Sequence, residues 1–316
     1  MMIDTSSIVS KVLAGDLRAA GRLMRDLDDA APSAIAAFKA LCPYSGKARI
    51  VGITGNPGSG KSTLVSALVR HLRKDGLKVG VVAIDPTSPF SGGAILGDRV
   101  RMQEHATDPG VFIRSLATRG HLGGLSRSTS DVALVLDAMG YDVVLIETVG
   151  VGQDEVDIVR SAQTVIVVAV PGLGDEVQAI KAGLLEVADV FAVNKADRPG
   201  ADRTQRDLEM MIHGNHPDAW QPPIVRTVAV NGEGVAELWR AVQSHAGAKG
   251  SLASERTRQR AEQRILDVVR ERLAARIDER LRAPGTLAAL TERLVSRASD
   301  PYSLAEEALL ALLSER

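Results

Sequence analysis

Apolar positions change their period twice along this chain. From residue 1 to about 45 they recur at helical spacing: Ile8, Val12 and Leu13, then Leu23, Met24 and Leu27, then an alanine-rich stretch after Pro32 that Pro43 closes. From Ala48 onward come short, nearly continuous apolar runs at 50–54, 79–84, 111–116, 143–147, 165–170, 190–193 and 224–230. They are rich in β-branched residues, the pattern of strands covered on both faces. Helical patterns fall between them at 62–74, 129–139, 176–187 and 235–242. Such alternation predicts an α/β fold of three layers, α/β/α, around a mostly parallel sheet. After Gly250 the texture turns helical again, with Leu266, Val269, Leu273, Ile277 and Leu281 three or four apart on a charged background. Pro284 and Gly285 break that helix, a second follows with Leu287, Leu290 and Leu294, and a third starts with Asp300 as its cap and Pro301 at its first position. The chain is therefore expected to divide into an N-terminal helical extension (1–45), a central α/β domain (46–249) and a C-terminal helical arm (250–316). That arm either folds against the core or self-associates.

Composition narrows the functions available. Of 316 residues, 45% are hydrophobic and 24% charged, as in ordinary soluble proteins with a core. The 38 basic and 39 acidic residues leave no cationic excess to neutralise phosphates, so no nucleic-acid partner is expected. A lone cysteine, Cys42, forbids an intramolecular disulfide and a thiolate metal cluster; a small core residue is its simplest role. The first residues do not resemble a signal peptide, and no run approaches the ~18 apolar residues of a membrane span. A cytoplasmic protein with no membrane partner is expected.

The first candidate chemistry follows the first strand. Gly55-Asn56-Pro57-Gly58-Ser59-Gly60-Lys61-Ser62-Thr63 fits G-x-x-x-x-G-K-[ST] between a predicted strand and a predicted helix. Glycines let the backbone N–H groups wrap phosphates closely, and the helix N-terminus adds a positive dipole end. In this reading Lys61 meets the β- and γ-phosphates and the Ser62 hydroxyl binds Mg²⁺. The fold expectation thereby sharpens to a P-loop NTPase flanked by N- and C-terminal helical extensions.

Magnesium needs further oxygen ligands. Asp85 and Glu147 end predicted strands, where open α/β sheets bind ligands, and Asp98 follows in Gly97-Asp98-Arg99. A solvated loop acid is the plain alternative for each. It is weakest for Glu147, which opens Glu147-Thr148-Val149-Gly150-Val151-Gly152-Gln153. An acid followed by glycine at this spacing suits a γ-phosphate sensor, with the Gly150 amide on the phosphate and Gln153 placed to orient water.

Base selection is suggested by Asn194-Lys195-Ala196-Asp197, which follows the run at 190–193. A carboxylate at Asp197 accepts from guanine N1–H and the 2-amino group together; adenine lacks both donors and leaves the charge unpaired. Asn194 is placed to brace the loop and the O6/N7 edge, and the Lys195 stem to cover the purine face. Val228, Ala229 and Val230, ending the next strand, are placed to offer amides to guanine O6. GTP and GDP are thus the expected nucleotides.

Taken together, residues 55–63, Asp85-Pro86-Thr87-Ser88, Gly97-Asp98-Arg99-Val100-Arg101-Met102, the acid-glycine segment from Glu147 to Gln153, Pro171-Gly172-Leu173-Gly174-Asp175-Glu176 and the Asn194-to-Asp197 loop resemble the MeaB/ArgK group, the GTPases associated with methylmalonyl-CoA mutase. The resemblance covers essentially the whole chain. It implies a homodimer built through the C-terminal helices and a chaperone role. GTP binding and hydrolysis there gate adenosylcobalamin loading onto the mutase and protect it from inactivation. It also implies phosphate and Mg²⁺ contacts for Lys61 and Ser62, magnesium and switch roles for Asp85, Asp98 and Glu147, and a further switch segment holding Asp175, Glu176 and Lys181. Where the wider class often carries a second P-loop lysine, this chain has Asn56, so a mechanism using that lysine across a dimer is not implied. The group's older naming, as kinases of lysine, arginine and ornithine transport systems, is the main alternative. A nickel-insertion GTPase is disfavoured by one Cys and six scattered His.

Overall fold

The computed structural model describes residues 5–85, 102–117, 124–148, 158, 161–171, 182–212, 220–248 and 251–314. Three helices come first: α1 (Thr5–Leu13), α2 (Leu17–Asp28) and α3 (Pro32–Leu41). Asp16 caps α2 by accepting from the amides of Arg18 and Ala19, and Pro32 starts α3, where its missing N–H costs nothing. The apolar positions read from the sequence turn inward, with Val12, Leu23, Met24 and Leu27 all buried.

Seven strands follow: β1 (Arg49–Thr54), β2 (Val79–Asp85), β3 (Val111–Ala117), β4 (Val143–Glu147), β5 (Thr164–Ala169), β6 (Val190–Asn194) and β7 (Ile224–Thr227). They form one sheet in the order β3-β2-β4-β1-β5-β6-β7, and every pairing is parallel. Strands β4, β5 and β6 are buried along their whole length, which is why their sequences read as unbroken apolar runs. Between them lie α4 (Lys61–Lys74), α5 (Gly124–Ala138), α6 (Ala182–Val187) and α7 (Ala201–Ile212), and α8 (Val235–Gly247) follows β7. One sheet face packs on α1, α2, α3, α5 and α7 in a single apolar cluster; the other packs on α4 and α8. Asp137 of α5 fastens the entry to β1 by accepting from the amides of Gly46, Lys47 and Ala48. The N-terminal helices thus share the core of the sheet.

Two expectations change. The seventh strand ends at Thr227 and not at 230, because Val228 turns away to bridge Glu233, and the amides of Asn231 and Gly232 close back on its carbonyl. Cys42 is exposed, since it opens a 3₁₀ turn (Cys42–Tyr44) on the surface and not a packed turn of α3.

The C-terminal segment holds α9 (Ser251–Leu281), α10 (Thr286–Val295) and α11 (Pro301–Ser314). The described chain forms two compact units, Met1–Arg260 and Ala261–Arg316. Within the second, Gly285 (φ 84°) precedes α10, and Asp300 caps α11 by accepting from the amides of Tyr302 and Ser303. An Arg293–Glu307 pair joins α10 to α11 at 2.9 Å. Among the described residues no helix is long and apolar enough to cross a membrane.

Candidate nucleotide site

The loop between β1 and α4 leaves the centre of the sheet, at the carboxyl end of its strands. Gly55 (φ 139°) lies so close to β5 that a Cβ would enter the Val168 carbonyl, and Gly60 (φ 87°) has no room for one either. Lys61, at the first position of α4, points back into the loop and donates to the carbonyls of Gly55 (2.6 Å) and Asn56 (3.0 Å). The lysine is buried, with its ammonium held by these carbonyls of the loop. Ser59 is fully buried and its hydroxyl has no partner among the described residues. Gly58 stands exposed and Thr63 half-buried.

Strand β4 brings the predicted acid beside this loop. Glu147 is the Cα partner of Ile53 in register, and its Oε1 accepts from the Ser62 hydroxyl at 2.6 Å with both side chains buried. Thr148 continues over the end of β1, bonding Ile53 O through its amide and Thr54 through its hydroxyl. Asp85 ends β2; because Ala83 is the partner of Glu147, Asp85 lies two positions further along the neighbouring strand. Its side chain is outside the described set, as are Asp98, Gly150, Gln153, Asp175, Glu176 and Lys181.

The loop expected to read the base closes the other side. Strand β6 ends at Asn194, and Lys195 takes the left-handed backbone (φ 55°) that turns the chain. Asn194 is buried and committed to protein partners. Its Nδ2 donates to Ser59 O at 2.9 Å, while its Oδ1 accepts from Thr227 Oγ1 and the Ala229 amide, each at 3.2 Å. Lys195 Nζ donates to Gly58 O at 2.7 Å, so its stem bridges the two loops. Asp197 stands exposed beyond them. Of the three amides expected to face guanine O6, that of Val228 donates to Glu233 O and that of Ala229 to Asn194. Val230 is 74% exposed.

A second polar group lies further along α4, four residues after Ser62. The Ser66 hydroxyl donates to Glu104 and sits 2.8 Å from His105 Nε2. A hydroxyl has one proton and a carboxylate only accepts, so His105 is the donor to Ser66 and carries its proton on Nε2. The bond from Ser66, helped by Arg70 and His105, holds the Glu104 carboxyl below the usual carboxylate range. Burial pushes the His105 imidazole below its ordinary value. Arg73 grips Asp108 through two bonds of 2.9 Å, which lowers the Asp108 carboxyl. Sequence reasoning missed this cluster and Thr227 alike, because only the fold brings their partners together. Among the described residues no three His, Cys, Asp or Glu side chains gather as a cation site.

A parallel sheet that carries a phosphate loop on its central strand, an acid on one neighbour and an Asn-Lys-x-Asp turn two strands away on the other side defines a P-loop GTPase. The chain belongs to the family described as methylmalonyl Co-A mutase-associated GTPase MeaB, whose model matches residues 22–282. It is 46% identical, over 99% of this chain and 97% of the relative, to a Pyrococcus abyssi protein with a provisional GTPase description. It is 40% identical to the Escherichia coli GTPase ArgK over 71% of this chain and 70% of that one. To the mouse mitochondrial methylmalonic aciduria type A homolog it is 37% identical, over 66% of this chain and 52% of the relative. Among solved structures, that of an LAO/AO transport system kinase superposes with a TM-score of 0.69 at 25% identity, over 99% of this chain and 100% of that one.

Proposed function

We propose that this GTPase is Mg²⁺-dependent and serves an adenosylcobalamin-dependent methylmalonyl-CoA mutase as a chaperone that gates cofactor loading and protects the enzyme from inactivation. The observation that carries the partner is the family description, with its named mutase, matched over residues 22–282. The mouse relative's methylmalonic aciduria name points the same way.

The residues present fit the metal. Ser62 and Glu147 put a hydroxyl and a carboxylate oxygen together at the N-terminus of α4, a hard-oxygen pair of the kind Mg²⁺ takes. Ser62 and Glu147 would hold the ion, with Asp85 and Asp98 as further carboxylates. Bound Mg²⁺ supplies charge neutralisation on the phosphates. In hydrolysis, water attacks the γ-phosphorus, the bond to the β–γ bridging oxygen breaks with its electron pair going to GDP, and the released inorganic phosphate keeps one proton of the water while the other passes to solvent. Lys61 exchanges its two carbonyl partners for phosphate oxygens and offsets that charge. Gln153 orients the water, and the Gly150 amide meets the γ-phosphate. Asp197 reads guanine, with Asn194 and Lys195 fixing its loop to the phosphate loop. The C-terminal helices form the homodimer, and Asp175, Glu176 and Lys181 pass the nucleotide state to the mutase. A nucleotide acts on a partner only through different affinity for two conformations. Loading of the mutase should therefore differ between GTP and GDP.

The test begins with Asp197→Asn. The amide presents a donor to the donors of guanine, so GTP binding should fall by roughly two factors of ten. Xanthine has a carbonyl in place of the 2-amino group, so XTP binding should rise as GTP binding falls. Competition with GTP, XTP and ATP reads this directly. Wild-type protein that binds ATP as well as GTP would instead support the kinase reading, which the name of the superposed transport system kinase favours. Equal holo-mutase formation with GTP, GDP and no nucleotide would reject the chaperone role.

A further inference from the structure

Two consecutive residues grip both ends of the phosphate loop. Residues 55–61 run between Thr54, which ends β1, and Ser62, in the first turn of α4. Glu147 takes the far end, its Oε1 accepting from the Ser62 hydroxyl at 2.6 Å. Thr148 takes the near end: its amide donates to Ile53 O at 3.1 Å and its hydroxyl to Thr54 Oγ1 at 3.0 Å. Thr54 and Thr148 are both buried. On the other flank Thr54 is the Cα partner of Val167, and Gly55 lies against the Val168 carbonyl. The base of the loop is thus wedged between the end of β4 and β5. The register of β1 with β4 ends at Ile53 and Glu147. One step beyond it, the hydroxyl pair fixes how far the phosphate loop stands from the strand that carries the acid.

We propose that Thr54 and Thr148 are positioning residues for Mg²⁺-assisted nucleotide binding, their hydroxyl pair holding the base of the phosphate loop at the spacing from β4 that lets Ser62 and Glu147 share one ion. The proposal rests on the assignment of Ser62 and Glu147 to Mg²⁺ made above. Mg²⁺ demands near-ideal octahedral geometry, so a small change of spacing weakens its binding. Valine at either position keeps the β-branched shape and removes the bond. It also replaces a 3.0 Å contact by one of about 3.5–4.0 Å. Serine at 148 keeps the proton and discards only a methyl group. The two kinds of variant separate the hydrogen bond from the packing of the side chain.

Binding of a fluorescent GDP derivative to the full chain, titrated with Mg²⁺ and repeated in EDTA, tests this. Thr148→Val should raise the Mg²⁺ concentration at half-maximal effect about five-fold, in the range of one buried hydrogen bond, and leave affinity in EDTA unchanged. Thr148→Ser should restore the Mg²⁺ response. Thr54→Val should match Thr148→Val, and the double valine variant should lose no more than the larger single loss, since one bond is removed once. Thermal unfolding without nucleotide accompanies each assay, and Thr148→Ala replaces the valine variant if that one does not fold. A folded, hydroxyl-free variant with wild-type Mg²⁺ dependence overturns the proposal. So do losses that are equal with and without Mg²⁺, or that add in the double variant. Glu147→Gln is the reference: if it leaves the Mg²⁺ response at wild type, the metal assignment fails and the proposal with it. If it abolishes the response and both valine variants keep it, the hydroxyl pair alone is excluded.

Discussion

The two compact units bury apolar surface in opposite ways. In Met1–Arg260 the side chains of Leu23, Ile53, Leu68, Leu145 and Phe191 are wholly inaccessible, and both faces of the sheet are covered. In Ala261–Arg316, Leu304 is the one buried apolar side chain among the described residues. There Ile265, Leu273 and Leu310 are 64%, 53% and 66% exposed. Isolated exposed leucines need no explanation, but Ile265, Leu266, Val269 and Leu273 recur at helical spacing along α9, and a stripe of that kind asks for a partner surface. The first unit meets the requirements of a fold by itself. The second has the surface of something completed by another molecule, and a second copy of the chain is the partner proposed above.

The contrast is sharpest under truncation of buried and exposed leucines. Leu23→Ala should destabilise the protein by about 2–5 kcal/mol, since it leaves a cavity where the N-terminal helices meet the sheet. Leu273→Ala should change unfolding by no more than about 0.5 kcal/mol in a monomer. Chemical unfolding of both variants reads the difference, and equal losses would mean that Leu273 is covered in solution. Next in size, truncation after Arg260 should turn a dimer into a monomer in light scattering while nucleotide binding survives. A truncated dimer would place the interface in the first unit.

The smallest effect concerns the cluster on α4. Burial holds the His105 imidazole below its ordinary value, while an unfolded histidine takes up its proton near the usual pH of about 6.5. The unfolded state therefore binds more protons in the window from 6.5 down to the depressed folded value, and stability falls as pH falls through it. Glu104 and Asp108, both lowered, contribute below the ordinary carboxylate range and leave that window to His105. Ser66 and Arg70 complete the groups facing the ring. His105→Asn should flatten the slope of unfolding free energy between pH 7 and 5.5, measured with urea. A slope equal to wild type would assign the proton uptake elsewhere.

Much of this architecture is legible before any coordinates. The runs at 143–147 and 190–193 are strands because residues covered on both faces must all be apolar, and spacing alone places Lys61 and Ser62 at the start of a helix. Asp300 and Pro301 announce α11 because capping is a local matter. The residues that escape notice act over long sequence distances. Thr227 meets Asn194 only through strand register, and His105 meets Ser66 only because a 3₁₀ turn (Gln103–His105) packs on α4. Val228, Ala229 and Val230 read as strand by their side chains, but the turn carrying Gly232 and Gly234, both at positive φ, draws them out of the sheet. Cys42 has a core residue's chemistry and a surface position, which composition cannot separate.

The strand order also has a consequence for synthesis. β1, which carries the phosphate loop, leaves the ribosome well before its neighbours β4 and β5. At translation rates of roughly 5–20 residues per second, β1 waits seconds for the partners that cover it. Asn194 waits longer still, until Thr227 and Ala229 have emerged to donate to its Oδ1. A nascent chain of this protein therefore carries a complete phosphate-loop sequence well before it owns a nucleotide pocket.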